Sequence, residues 1–239
     1  MTEPLVLAEP ETPFWGFGEI FISIAAFLVS LQLAAGAAAR WLHADIKLGY
    51  WQVAEEFAAY LTMFVVLKVI FFWKGQSLLR SLGWVRSPFS PLTMMWLGFA
   101  LVVSSVILQT LLRTPQIQTP FEQLLNSDPI SKFAISFFGV TVGPVIEELL
   151  FRGLLQPVLV SAMGVFPGIL LTSALFGALH LSQNAGLWQS GVLITMAGFA
   201  FGVVRHVSGS TRASSIMHIA YNALPFVATL LQGTPSQNQ

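Results

Sequence analysis

Residues 131–160 read SKFAISFFGVTVGPVIEELLFRGLLQPVLV, an apolar run long enough to cross a bilayer that nonetheless carries Glu147, Glu148 and Arg152. A spanning helix needs about 20 mainly apolar residues. On insertion scales each charge at the bilayer centre costs roughly 2.5–3.5 kcal/mol, so three unpaired ones approach about 9 kcal/mol. Such groups persist in a membrane segment when they are paired, face a cavity, or do chemistry.

The rest of the chain agrees with a membrane environment. Of its 239 residues, 55% are hydrophobic and 9% charged, against about 25% charged in soluble domains. The mean hydropathy is +0.73. Eleven basic and eleven acidic residues cancel, which argues against a nucleic-acid partner. The absence of cysteine excludes disulfides, thiolate metal sites and cysteine nucleophiles. The N-terminus, with Glu3, Glu9 and Glu11 and no Lys or Arg before Arg40, lacks the pattern of a cleavable signal peptide. Open sheet edges are excluded from lipid, so the expected fold is all-α. The chain reads as one polytopic integral membrane bundle over residues 1–239, with about seven to eight transmembrane helices.

The spans predicted from hydropathy and breakers run from about Phe14 to Ala39, Gln52 to Trp73, Pro91 to Leu112, Ser131 to Val160, Pro167 to Leu181, Gly191 to His206 and Ser210 to Leu231. An eighth arises if residues 131–160 break at Pro144 or Pro157. The stretch from Thr114 to Asp128, with Pro115 and Pro120, reads as a loop with a short interfacial helix. Lys74, Arg80, Arg86, Arg205 and Arg212 fall on one side, and Arg40, Lys47, Arg113 and Lys132 on the other. That slight bias leans towards a cytoplasmic N-terminus. Residues 1–130 supply N-terminal helices, and 131–232 hold the polar constellations. This asymmetry counts against an inverted-repeat transporter.

Three constellations in that second half carry chemistry. In Glu147-Glu148-x-x-x-Arg152, Glu148 and Arg152 are four apart and share a helix face, so they pair. Glu147 is rotated by about 100° and is left free. Pro144 cannot donate to the carbonyl of Val140 and would kink the helix. In Phe176-x-x-x-His180, a neutral imidazole sits where it can hold a water or a metal. In His218-x-x-x-Asn222, imidazole and carboxamide face one point, a pairing suited to a developing oxyanion or to interhelical hydrogen bonds. Gly177 and Gly198-x-x-x-Gly202 allow close helix approach, which would bring Glu147, His180 and His218 to one cavity. Of the four histidines, His43 and His206 sit at loop edges and read as solvated. A second acidic pair, Glu55-Glu56, lacks an arginine in register and reads as snorkelling to the interface.

In order, these constellations match the three motifs of the CAAX prenyl protease and bacteriocin-processing (CPBP, ABI) family of intramembrane glutamic proteases, which residues 131–225 resemble. The resemblance implies that Glu147 is general base on a water also held by His180. It further implies that His218 and Asn222 stabilise the oxyanion, with Glu148, Arg152 and Phe176 as support. It implies no cofactor; a zinc site of Glu147, His180 and His218 is the alternative, and no acidic partner for either histidine is evident from spacing. A non-catalytic immunity or scaffold membrane protein is the other alternative. The implied partners are the lipid bilayer and a peptide or membrane-protein substrate, lipidated or not. Eukaryotic relatives remove the terminal tripeptide after a prenylated cysteine, while bacterial relatives process other peptides. The expected location is a multi-pass position in a membrane, the plasma membrane if the host is bacterial. The first 130 residues offer no legible substrate determinant.

Overall fold

A computed structural model of the chain describes residues 12–42 and 48–231. Glu3, Glu9, Glu11, His43, Asp45 and Lys47 lie outside the described residues, so the expectation of a solvated His43 is not addressed there. The described residues form helices and connections, with no strand among them.

Helix α1 (Phe17–Trp41) packs along α2 (Gly49–Trp73). Lys74, just past the end of α2, pairs with Glu19 at the start of α1, and Thr62 accepts from Ser30 midway, so the two run antiparallel. Their outer faces carry large exposed apolar side chains such as Phe21, Leu33 and Phe72, the surface lipid covers. After a short turn of helix, α3 (Leu78–Ser81), comes α4 (Pro91–Leu111). The interfacial helix expected in the 114–128 stretch is α5 (Pro120–Leu125).

One local device starts α4, α5 and α6 (Pro129–Val140). A polar cap precedes proline in Ser90-Pro91, Thr119-Pro120 and Asp128-Pro129. Each cap side chain accepts from backbone N–H groups of the first turn, and proline at the first helical position lacks only a hydrogen that would have no partner there.

The 131–160 stretch is bent. Its helices α6 and α7 (Val142–Glu148) meet at Thr141 with a 40° change of axis. The sequence offered Pro144 or Pro157 as the break; it lies three residues before Pro144, because Pro144 cannot donate to the Val140 carbonyl and so releases the turn before it. The chain then continues as a π-helical turn (Leu149–Leu155) into α8 (Gln156–Met163). Gln156 N–H bonds to the Phe151 carbonyl, five residues back. Pro157 removes the donor an α ladder would need for Gly153, which favours this wider register.

Gly164, at φ +88°, turns the chain into α9 (Val165–Leu179). Helices α10 (Trp188–Ser208) and α11 (Thr211–Leu231) follow, separated by a left-handed Gly209 at φ +66°. The seven expected helical segments are therefore present. By length and composition four of the described helices (α1, α2, α4 and α10) can span a membrane, or five counting the bent 129–163 segment. At 15 residues, α9 is short of a bilayer's hydrocarbon thickness at about 1.5 Å per residue. Helix α11 is long enough but carries Arg212, Ser214, Ser215, His218 and Asn222.

Two buried clusters hold the bundle. Trp15, Met63, Leu67 and Phe71 pack on Leu149, Leu154 and Val158, so α1 and α2 close over the π turn. Trp15 Nε1 donates to the Leu154 carbonyl at 2.9 Å. On the other side Met94, Ala197, Phe201, Ala213 and Met217 join α4, α10 and α11. A Cβ at Gly98 would sit 2.8 Å from that of Ala220, so α4 touches α11 nearly backbone to backbone.

Candidate active site

The bent segment, α9, α10 and α11 converge on one cavity of about 980 Å³, with α2 forming part of its wall. Glu147, Phe176, His180, His218 and Asn222 all line it. The three constellations, scattered over 76 positions of sequence between Glu147 and Asn222, thus meet at one place.

The adjacent glutamates divide by exposure. Glu148 and Arg152 are fully buried behind the cavity, while a quarter of the Glu147 side chain is open to it. Glu148 Oε1 lies 3.1 Å from Arg152 Nη1. The guanidinium also donates from Nη2 to the Gly198 carbonyl at 2.8 Å and lies over the Phe176 ring, 4.6 Å from its centroid. One turn further along, Gln156 Nε2 donates to the Gly202 carbonyl at 3.0 Å. The Gly198-x-x-x-Gly202 pair therefore exposes two carbonyls to two side chains at matching spacing. A Cβ at position 198 would come within 3.0 Å of Arg152 Nη2.

His218 is tied to the same pair. Its Nδ1 lies 3.1 Å from Glu148 Oε1, and its ring stacks on Phe201 at 4.4 Å between centroids. An acidic partner for a histidine, not evident from spacing, is thus Glu148; it sits 70 positions away in the chain, beyond any local pattern. Phe201 was likewise missed, because its role exists only across α10 and α11. The outer nitrogen of His218, Nε2, lies 3.7 Å from Glu147 Oε2.

His180 closes the other side. Its Nδ1 donates to the Phe176 carbonyl at 2.7 Å, which leaves Nε2 as an acceptor 4.0 Å from Glu147 Oε1. Asn222 donates from Nδ2 to the Gly139 carbonyl at 2.9 Å, across to α6. One amide hydrogen of Asn222 remains for a ligand. His206, on α10, is exposed and apart from the site. Among the described residues, no three His, Asp or Glu side chains are grouped so as to hold a metal ion.

Glu55 and Glu56 differ from their reading in the sequence. Both line the same cavity, together with Tyr60 one turn on. Glu56 lies within interaction range of His180, Glu147 and Tyr60. The snorkelling reading fails because α2 turns this face inward, against the bent segment, rather than to the interface. No signal in the sequence of α2 alone says which face that is.

A bundle with four or five described helices long and apolar enough to cross a membrane, and with an acid and two imidazoles facing one cavity, defines an integral membrane protein. Residues 129–224 match the family model described as Type II CAAX prenyl endopeptidase Rce1-like. The match covers 96 of the 239 residues and contains all three motifs. No curated protein and no solved structure matches the chain.

Proposed function

We propose that the protein is an intramembrane glutamic endopeptidase in which Glu147 and His180 activate water and His218 and Asn222 stabilise the oxyanion. The observation that carries this is the convergence of Glu147 with the Nε2 atoms of His180 and His218, 4.0 and 3.7 Å away, on a cavity wall. The 4.0 Å gap is too long for a direct hydrogen bond and suits one bridging water, which would donate to His180 Nε2 and to the Glu147 carboxylate. As water attacks the peptide carbonyl, Glu147 takes its proton. The resulting carboxylic acid then gives that proton to the leaving amine, so Glu147 ends as it began.

The oxyanion needs donors. Glu148 pairs with Arg152 and accepts from the Nδ1–H of His218, and with both ring nitrogens protonated Nε2 donates to the oxyanion. The second amide hydrogen of Asn222 is the other donor. Phe176 fixes His180 through its carbonyl, and Phe201 fixes His218 by stacking. The substrate is a peptide or membrane protein, lipidated or not, cut in a membrane, the plasma membrane if the host is bacterial.

The test is a quenched fluorescent peptide with purified protein. Glu147→Gln should lower turnover by about 10²- to 10⁴-fold, the usual contribution of a general base, while a chelator leaves wild type active. Loss of activity on chelation with recovery on added zinc would establish the zinc alternative. An unchanged Glu147→Gln phenotype would leave a scaffold or immunity role.

A further inference from the structure

The cavity has a charge imbalance that water activation does not use. Glu55 and Glu56 line it beside Glu147, and among the described residues that line it none is Lys or Arg. Glu55 is 9% exposed, and its Oε1 has no hydrogen-bond partner. A buried carboxylate oxygen without a donor is costly, and it is tolerated where a ligand supplies the donor. Glu56 is one turn before Tyr60 and within electrostatic range of His180 and Glu147, and both glutamates line the cavity that Glu147 faces. The remaining wall is largely apolar, including Leu124, Ile135, Phe138 and Phe226.

We infer that Glu55 and Glu56 form a subsite for a cationic side chain, lysine or arginine, of an otherwise apolar peptide positioned across the scissile bond. This rests on the proposed peptidase reading and names its substrate class. An ammonium or guanidinium donates to the open oxygen of Glu55 and to Glu56, in surroundings where charged hydrogen bonds are strong.

The experiment uses full-length protein in phosphatidylcholine nanodiscs and capped apolar peptides that differ at one position, lysine, norleucine or glutamate. Binding is read on Glu147→Gln protein, which removes turnover, and cleavage on wild type. The lysine peptide should bind about tenfold or more tighter than the norleucine peptide, and the glutamate should weaken binding. In a Glu55→Gln, Glu56→Gln variant the lysine advantage should vanish. Equal affinity for lysine and norleucine overturns the subsite, as does an advantage that survives the double variant. Competition by phosphatidylethanolamine added to the nanodiscs would assign the subsite to a lipid amine and overturn the peptide assignment. If the double variant does not fold, the lysine-to-norleucine ratio on the parent protein still decides. Absence of cleavage with the binding preference intact would count against the peptidase alone.

Discussion

Glu147 and Glu148 are neighbours in the chain with opposite surroundings, one a quarter open to the cavity and the other fully buried. Glu148 accepts from His218 and pairs with Arg152 through the same oxygen, Oε1. Its removal should therefore do two things at once. Glu148→Gln leaves Arg152 without its counter-charge, and breaking a buried pair costs about 3–5 kcal/mol; thermal unfolding in detergent measures this. It also frees the His218 ring to turn, so turnover should fall by more than peptide affinity. A variant that loses stability but keeps its turnover number would mean Glu148 is a packing group only. The Glu148–Arg152 pairing is legible from spacing alone, because i, i+4 geometry is local. The Glu148–His218 contact is not, because it depends on how α11 crosses the bent segment.

At the scale of the element, the bend at Thr141 sets the site. It turns α7 so that Glu147 faces α9 and α11 rather than lipid. Pro144→Ala would restore the donor for the Val140 carbonyl and favour a straighter helix. The expected result is a loss of cleavage of about 100-fold, the effect of a displacement near 1 Å in a reacting group, with helix content by circular dichroism unchanged. Hydropathy marks the apolar run but cannot locate this break, nor the π turn after it, since both come from missing donors and neighbouring helices.

The start of α6 is an element-scale feature with a pH signature. The Ser131 hydroxyl beside Asp128, with the N–H groups of Ser131 and Ile130, holds its carboxyl below the usual carboxylate range. A depressed folded value stabilises the fold above the ordinary range, near pH 4, and that contribution is lost as pH falls through the lowered value. Asp128→Ala should cost about 0.5–2 kcal/mol at neutral pH. The gap between wild type and variant in unfolding scans should shrink below about pH 4; a gap constant down to pH 3 would contradict the capping role.

Across the whole molecule, two close approaches align the helices that carry the proposed site. Gly98 sets α4 against α11, and Gly198 lets the Arg152 guanidinium reach the α10 backbone. Gly98→Leu should displace α11 with His218 and Asn222, costing about 1–3 kcal/mol from overpacking and most of the activity; unfolding and turnover assays check both. The all-α membrane architecture was legible because composition and hydropathy are properties of the whole chain. The candidate site was legible where motifs lie within single helices. The contribution of α2 was hidden because Glu55 and Glu56 acquire meaning only once α1 and α2 have packed over the π turn. Residues outside 129–224 thus shape a cavity whose motifs lie inside that match.

The most direct measurement compares peptides released in native membranes by wild type and by Glu147→Gln at equal protein level, in the presence of a chelator. A set of cleavage products present with wild type and absent with the variant is the result expected of a metal-free Glu147 base. Identical product sets from the two proteins, or wild-type products that vanish with the chelator, would contradict it.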